Sequence, residues 1–390
     1  MSAPVGVLHA RSETLSLVLR VGFAAMQVAL LASCGAPGDS DQVIKIGLVA
    51  PFEGQYRYVG YDVIYAVRLA LREVNSSGGA GGYRVELVAY DDMGDPESAV
   101  EQARKLQIDS DVLAVVGHFR HATTEAAAPV YNDAGIALVA PAHFANTDSG
   151  TGSGMVLSLA PDITQLARQI SELTDSCTCT VGLTDDGVLW PAFVTATQEG
   201  DTMACVETSF QSPHWRDQVT ATGADCLFID LEAVAAGEAV AQLRSEGWGG
   251  RIVGGPALSE PPFASVAGDS AIGVECVTGW PISAAGPDFD AAYRAVSAGT
   301  PPGPMAALAY EATWILIEAV ERTVAIGAQP SRSDVAQALT ATQRQGLVGT
   351  IVFRGDGAWV NAPICRYRMD PSSGLVPVDD SPRCNRAMLK

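Results

Sequence analysis

The chain has 390 residues, 48% of them hydrophobic, which is enough apolar material for more than one core and for two or three domains. Its 24 Lys and Arg stand against 44 Asp and Glu, a formal net charge of −20. So acidic a chain is repelled by phosphate backbones, which sets nucleic acid aside as a partner; the acidity reads as a solvated surface rather than a special acidic function.

From the N-terminus, Arg11 and Arg20 precede the apolar run VGFAAMQVALLAS. That run is too short for a permanent bilayer span and is suited to a signal-peptide core. It ends in LASC, Leu31–Cys34, which resembles the bacterial lipobox. The pattern predicts a signal peptide over 1–33, cleavage before Cys34, lipid on Cys34, and a small, polar tether over 34–42. No later stretch is long, apolar and uncharged, so contact with the membrane is expected through the anchor alone. The body is then held at the periplasm or cell surface.

Strand and helix signals alternate from Val43 onward. VIKIGLVA is a near-continuous apolar run, as in a parallel strand covered on both faces. A helix is predicted over 62–79, with Ile64, Val67, Leu71 and Val74 on one stripe. Strand RVELVAY, helix PESAVEQARKLQ opened by Pro96, strand VLAVVG, helix TTEAAAPVYNDAG and strand IALVA follow, a parallel βαβ series. After the Gly/Ser/Thr-rich break at 146–154 the alternation restarts near Ala160 with ITQLARQISELT and CTVGLT, and it runs on through DCLFID, RIVGG and GVECVTGW. Two helices close the pattern, DFDAAYRAVSA and the long MAALAYEATWILIEAVERTVA, whose apolar face is too wide for a solvent helix.

Seven cysteines follow Cys34, and an oxidising compartment permits disulfides among them. Cys179, Cys205 and Cys226 each open a strand-like run and can gather at one sheet edge. We therefore expect Cys177 or Cys179 to join Cys205 or Cys226, and Cys365 to join Cys384, which leaves at least one thiol free or paired outside the chain. Zinc ranks below disulfides because CTC lacks the usual paired spacing.

Enzyme signatures are sparse. No Gly-Lys pair exists, which excludes a phosphate-binding P-loop. Neither a nucleophile elbow nor an H-E-x-x-H is found. His118, His121 and His143 fall at the ends of predicted strands and can be read as a metal site. Hydrogen bonding to a ligand or to each other is the preferred reading, so no metal and no cofactor are expected.

The stretches IKIGLVAPFEGQYRYVGYDVIYAVRLALREVNSSGG, VELVAYDDMGDPESAVEQARKL, VVGHFRHATTEAAAPVYNDAGIALVAP and GTIVFRGDGAW resemble the bacterial type I periplasmic binding proteins. Among these, the branched-chain amino-acid and amide receptors of ABC importers are the nearest in pattern. The resemblance implies an α/β fold of two doubly wound, parallel-sheet lobes joined by a three-crossover hinge, closing on a ligand. It places 43–159 and 281–345 in lobe one, and 160–280 and 346–390 in lobe two.

In such receptors the loop after the third strand holds a ligand carboxylate with hydroxyls and N–H groups. Here His121 falls at the usual hydroxyl position, followed by Thr123 and Thr124. The next loop, APAHFAN, places His143 and Phe144 at the cleft, and GGPAL puts Ala257 where an acid often receives an ammonium. Trp190 falls near a usual aromatic wall, as do Tyr56 and Tyr58. Read from its own residues, Gly117–Thr124 offers helix N–H groups, Arg120 and His121 to an anionic group, with Arg57 nearby. Tyr56, Tyr58, Phe119, Phe144 and Trp190 supply an apolar wall. The expected ligand is a carboxylate on an apolar body. Asp186, Asp230 and Glu232 can meet a cation from lobe two, which keeps an amino acid or amide open.

The function so implied is a lipid-anchored solute-binding protein that delivers a small molecule to an ABC permease and ATPase. The alternative is a ligand-binding sensor that signals to a membrane partner. A tethered hydrolase is disfavoured, since no nucleophile–base pair is visible.

Overall fold

The computed structural model describes residues 42–145, 156–185, 187–198, 204–280, 285–372, 374–378 and 384. The expected signal peptide, Cys34, nearly all of the tether, the break at 146–154 and Asp186 lie outside them. The first lobe is built from β1 (Val43–Ala50), α1 (Arg57–Ser76), β2 (Arg84–Asp91), α2 (Pro96–Ile108), β3 (Val112–Val116), α3 (His121–Ala134), β4 (Ala137–Ala140) and β5 (Val156–Ser158). Its sheet runs β2-β1-β3-β4-β5, and every neighbour is parallel. A parallel sheet needs cover on both faces. One face buries Ile46, Leu48 and Val116 with α1; the other buries Val49, Val115 and Leu138 with α2 and α3.

The second lobe follows with α4 (Ile163–Glu172), β6 (Thr180–Thr184), α5 (Leu189–Thr197), β7 (Ala204–Ser209), α6 (Trp215–Ala221), β8 (Cys226–Asp230), α7 (Ala233–Ser245), β9 (Arg251–Gly254), α8 (Pro261–Ala267) and β10 (Glu275–Thr278). The chain then returns to the first lobe as α9 (Gly286–Val296), α10 (Ala306–Ala325) and α11 (Arg332–Leu339), followed by a hairpin of β11 (Gln343–Gly346) and β12 (Gly349–Val352). It ends on the second sheet with β13 (Cys365–Asp370) and β14 (Gly374–Pro377), antiparallel additions at the β10 edge. That sheet runs β14-β13-β10-β9-β8-β6-β7. The long apolar helix finds its place here: α10 buries Leu308, Ile315 and Ile317 in the same core as α1.

Two expectations shift. Helix α1 starts at Arg57 rather than 62, so Tyr58 stands in its first turn, and Gly60 lets it lean on Pro51: a Cβ at Gly60 would meet the Pro51 carbonyl oxygen at 2.2 Å. The segment 346–390 also divides between the lobes. Val348, Ile351, Phe353, Trp359 and Ala362 are buried in the first-lobe core, and only from Cys365 does the chain join the second. The hairpin pairs β12 back onto β11, which was expected in the first lobe, so the chain stays there beyond 345 and crosses only after Ala362.

Disulfides join Cys177 to Cys226, Cys179 to Cys205 and Cys365 to Cys384, with Cα separations of 5.9, 5.6 and 5.5 Å. The free thiol among the described residues is Cys276, buried in β10. Its pKa is pushed up to about 12 by burial, with the Glu275 carboxylate adding to the shift. The expected pairings are present.

Candidate functional site

A cavity of about 390 Å³ opens between the lobes. Most of its lining comes from loops leaving the carboxyl ends of parallel strands, where open α/β sheets hold ligands. Lobe one contributes Phe119, Arg120, His121 and Ala122 after β3, and Ala142 and Phe144 after β4. Lobe two contributes Asp185, Gly187, Val188 and Leu189 after β6, Asp230 to Glu232 at the end of β8, and Pro256, Ala257 and Glu260 after β9. Trp280 and Met305, near the chain passages, complete the wall.

Arg120 is held from three sides. Its Nη1 donates to the Gly94 carbonyl at 2.7 Å, its guanidinium lies 4.0 Å above the Tyr56 ring, and its Nη2 donates to Glu232 across the cleft. Gly94 is required for this stack: its φ is +73°, and a Cβ there would lie 2.4 Å from the Tyr56 ring. A second bond crosses between the lobes, from the Tyr58 hydroxyl to the Glu260 carboxylate.

Two acids of the lobe-two lining, Glu260 and Asp230, titrate high. Burial pushes Glu260 up to about 7; the Tyr58 hydrogen bond opposes this and Glu232 adds to it. Burial likewise brings Asp230 up to about 6, against the N–H groups of Leu189 and Trp190, which donate to it at 2.8 Å each. On lobe one, burial drives His121 down to about 4, and His143 pushes in the same direction. His121 is therefore neutral near pH 7 and is no anion-binding cation, contrary to the expectation from sequence. The described lining thus carries Asp185, Asp230, Glu232 and Glu260 against the single guanidinium of Arg120.

The remaining candidates divide. Phe119, Arg120, His121, Phe144, Asp230 and Glu232 meet at the cavity. Tyr56 and Tyr58 stand behind it, one beneath Arg120 and one bound to Glu260. Arg57 is exposed at the start of α1. Thr123 and Thr124 are fully buried, and their hydroxyls donate to the Arg120 carbonyl at 2.9 and 3.0 Å, so they brace the first turn of α3 instead of facing a ligand. Trp190 is a correction: it is 4% exposed, stacked 5.4 Å from Phe193, and donates to Glu207. Gly182 on β6 makes room for it, since a Cβ there would sit 2.5 Å from the indole.

The histidines also separate. His118 is fully buried between Asp92, at 2.6 Å, and the Tyr131 hydroxyl, at 3.1 Å. His143 instead lies beside His121, the two rings stacked at 4.9 Å, with its Nε2 2.5 Å from Glu125 Oε1. The motif YDDMGDP is explained by the same corner. Asp91 accepts from the N–H groups of Phe52 and Met93, Asp92 accepts from Gly94 N–H, and Asp95 caps α2 through Ser98 N–H. Sequence reasoning missed Glu260 and Asp185. The only signal for Glu260 was its place before Pro261–Pro262, which marks a helix start and not a cleft.

Residues 43–175 and 207–373 match the family model described as periplasmic binding protein. The chain belongs to the periplasmic binding protein family. It is 35% identical over 119 residues to the leucine-, isoleucine-, valine-, threonine- and alanine-binding protein of Pseudomonas aeruginosa, covering 30% of this chain and 31% of that one. It is 31% identical over 133 residues to the Leu/Ile/Val-binding protein of Escherichia coli, covering 33% and 36%. The matched stretches thus span about a third of these relatives. In fold it is similar to the branched-chain amino acid transporter substrate binding protein of Streptococcus pneumoniae, solved with isoleucine, at TM-score 0.75 and 22% identity, over 86% of this chain and 100% of that one. These relatives are binding proteins, not enzymes. Among the described residues no helix is long and apolar enough to cross a membrane.

Proposed function

We propose that this chain is the solute-binding component of an ABC importer and captures an apolar amino acid or its amide between its lobes. The observation that carries this reading is the opposition of charge across the cavity. The first turn of α3, whose N–H groups have no partner inside the helix, and Arg120 face a carboxylate or carbonyl. Asp230, Glu232 and Glu260 face an ammonium from lobe two, replacing the acid absent at Ala257. Phe119, Phe144, Val188 and Trp280 surround the body of the solute. The names of the relatives agree with an amino-acid ligand. Native mass spectrometry of freshly purified protein, followed by a thermal-shift screen of amino acids, amides and apolar acids, tests it; stabilisation only by acids lacking nitrogen rejects it.

The same reading includes a lipid anchor on Cys34, supported by LASC after the apolar run. Cys34→Ser then releases the protein from membranes or leaves the precursor uncleaved; a processed, membrane-bound variant contradicts the anchor.

A further inference from the structure

We propose that His121, Glu125 and His143 form a binding site for one divalent transition-metal ion of the zinc class, on the lobe-one wall of the cleft. His121 and Glu125 are four residues apart on α3, so both project from one face of its first turns. His143 reaches them from the loop after β4. One ligand atom from each of the three lies within 4.8 Å of the others. Ligand atoms of a common tetrahedral ion, each at roughly 2.0–2.2 Å from it, stand within that 4.8 Å of one another.

A second observation points the same way. The Nδ1 atom of His121 is buried and has no hydrogen-bond partner, while His143 already turns its Nε2 toward Glu125. A buried ring nitrogen without a partner carries a desolvation cost that a bound ion removes. Two imidazoles and one carboxylate are also a donor set that zinc takes while keeping a position open. Since His121 lines the cavity, that position is open to water or to an oxygen of the captured solute. The other metal-like cluster among the described residues, Cys177, Asp225 and Cys226, does not compete, because both cysteines are in one disulfide.

The site does not rest on the identity of the solute, and it is tested without one. Tag-free, non-reduced protein is titrated with Zn²⁺ by calorimetry and with Co²⁺ by visible absorption, which reports ligation directly. One equivalent is expected to bind. His143→Ala, His121→Ala and Glu125→Gln should each weaken the affinity at least tenfold to a hundredfold, the range already seen when only supporting groups of metal sites are lost. His214→Ala, at the exposed His214–Asp217 pair, should change nothing. Melting curves of the metal-free variants check that each is folded, and His143→Gln replaces any that is not. Absence of saturable binding, or binding that survives all three substitutions, overturns the site.

Discussion

Arg120 of the first lobe donates to Glu232 of the second, so the loop before α3 and the residue before α7 are joined across the cleft. Both side chains are partly exposed, so the pair by itself adds little stability. Its consequence is positional: it fixes where positive and negative charge stand when a solute arrives. Charge-assisted hydrogen bonds to a solute are worth roughly 1.5–3 kcal/mol each. Arg120→Ala and Glu232→Gln should therefore each weaken amino-acid binding by about tenfold or more, measured by calorimetry.

Trp190→Ala should act on stability and not on recognition. The indole is stacked on Phe193 and tilted against Phe228 within the α4–α5 core. Truncating a buried Trp costs about 3–5 kcal/mol. Denaturant unfolding should show that loss, while the affinity of the protein that remains folded stays within a few-fold. A large affinity change with unaltered stability would put the indole back in the cleft.

Lobe closure should depend on pH through Glu260. In the bridged form burial raises its pKa to about 7, whereas an open cleft hydrates it and restores an ordinary carboxyl value. Closure of the solute-free protein is then unpenalised below the ordinary value and becomes less favourable as pH rises toward about 7, beyond which it levels off. Distance measurements between labels on the two lobes should show opening over that window. Glu260→Gln should flatten the profile, and a wild-type profile that is already flat rejects the assignment.

Arg344→Ala should destabilise the first lobe strongly. Glu311 on α10 is fully buried and accepts from Arg344 Nε at 2.5 Å and from Leu347 N–H at 2.6 Å. Removing the guanidinium leaves a buried carboxylate without its counter-charge, at about 3–5 kcal/mol. The midpoint of denaturant unfolding should fall without a change of slope.

Under native, non-reducing conditions alkylation should leave Cys276 unlabelled, since it is buried and its pKa is raised to about 12. Denaturation without reductant should expose one thiol among the six bonded cysteines and Cys276. Labelling of Cys365 or Cys384 in that experiment contradicts their bond.

The βαβ series was legible because apolar runs such as VIKIGLVA admit no other burial, and β1 has the expected bounds Val43–Ala50. The loops around the cavity were legible too, since strand ends locate them, and Arg120, Phe144 and Glu232 do meet there. What the sequence hid was the direction of side chains. Trp190 follows a strand-end loop yet turns inward because Gly182 leaves space beneath it. His118 and His121 are three residues apart, but the first is fully buried against Asp92 and the second lines the cleft. Burial also removed the charge expected of His121, a property no local pattern carries.

The central claim is that the cleft reads both ends of a zwitterion. The most direct measurement is calorimetry with leucine, with the keto acid of the same carbon skeleton, and with the corresponding amine, on wild type and on Glu232→Gln. Leucine or a close apolar relative should bind at least tenfold more tightly than either partner lacking one charge, and Glu232→Gln should remove most of its advantage over the keto acid. Equal or tighter binding of the keto acid, unchanged by Glu232→Gln, would contradict it.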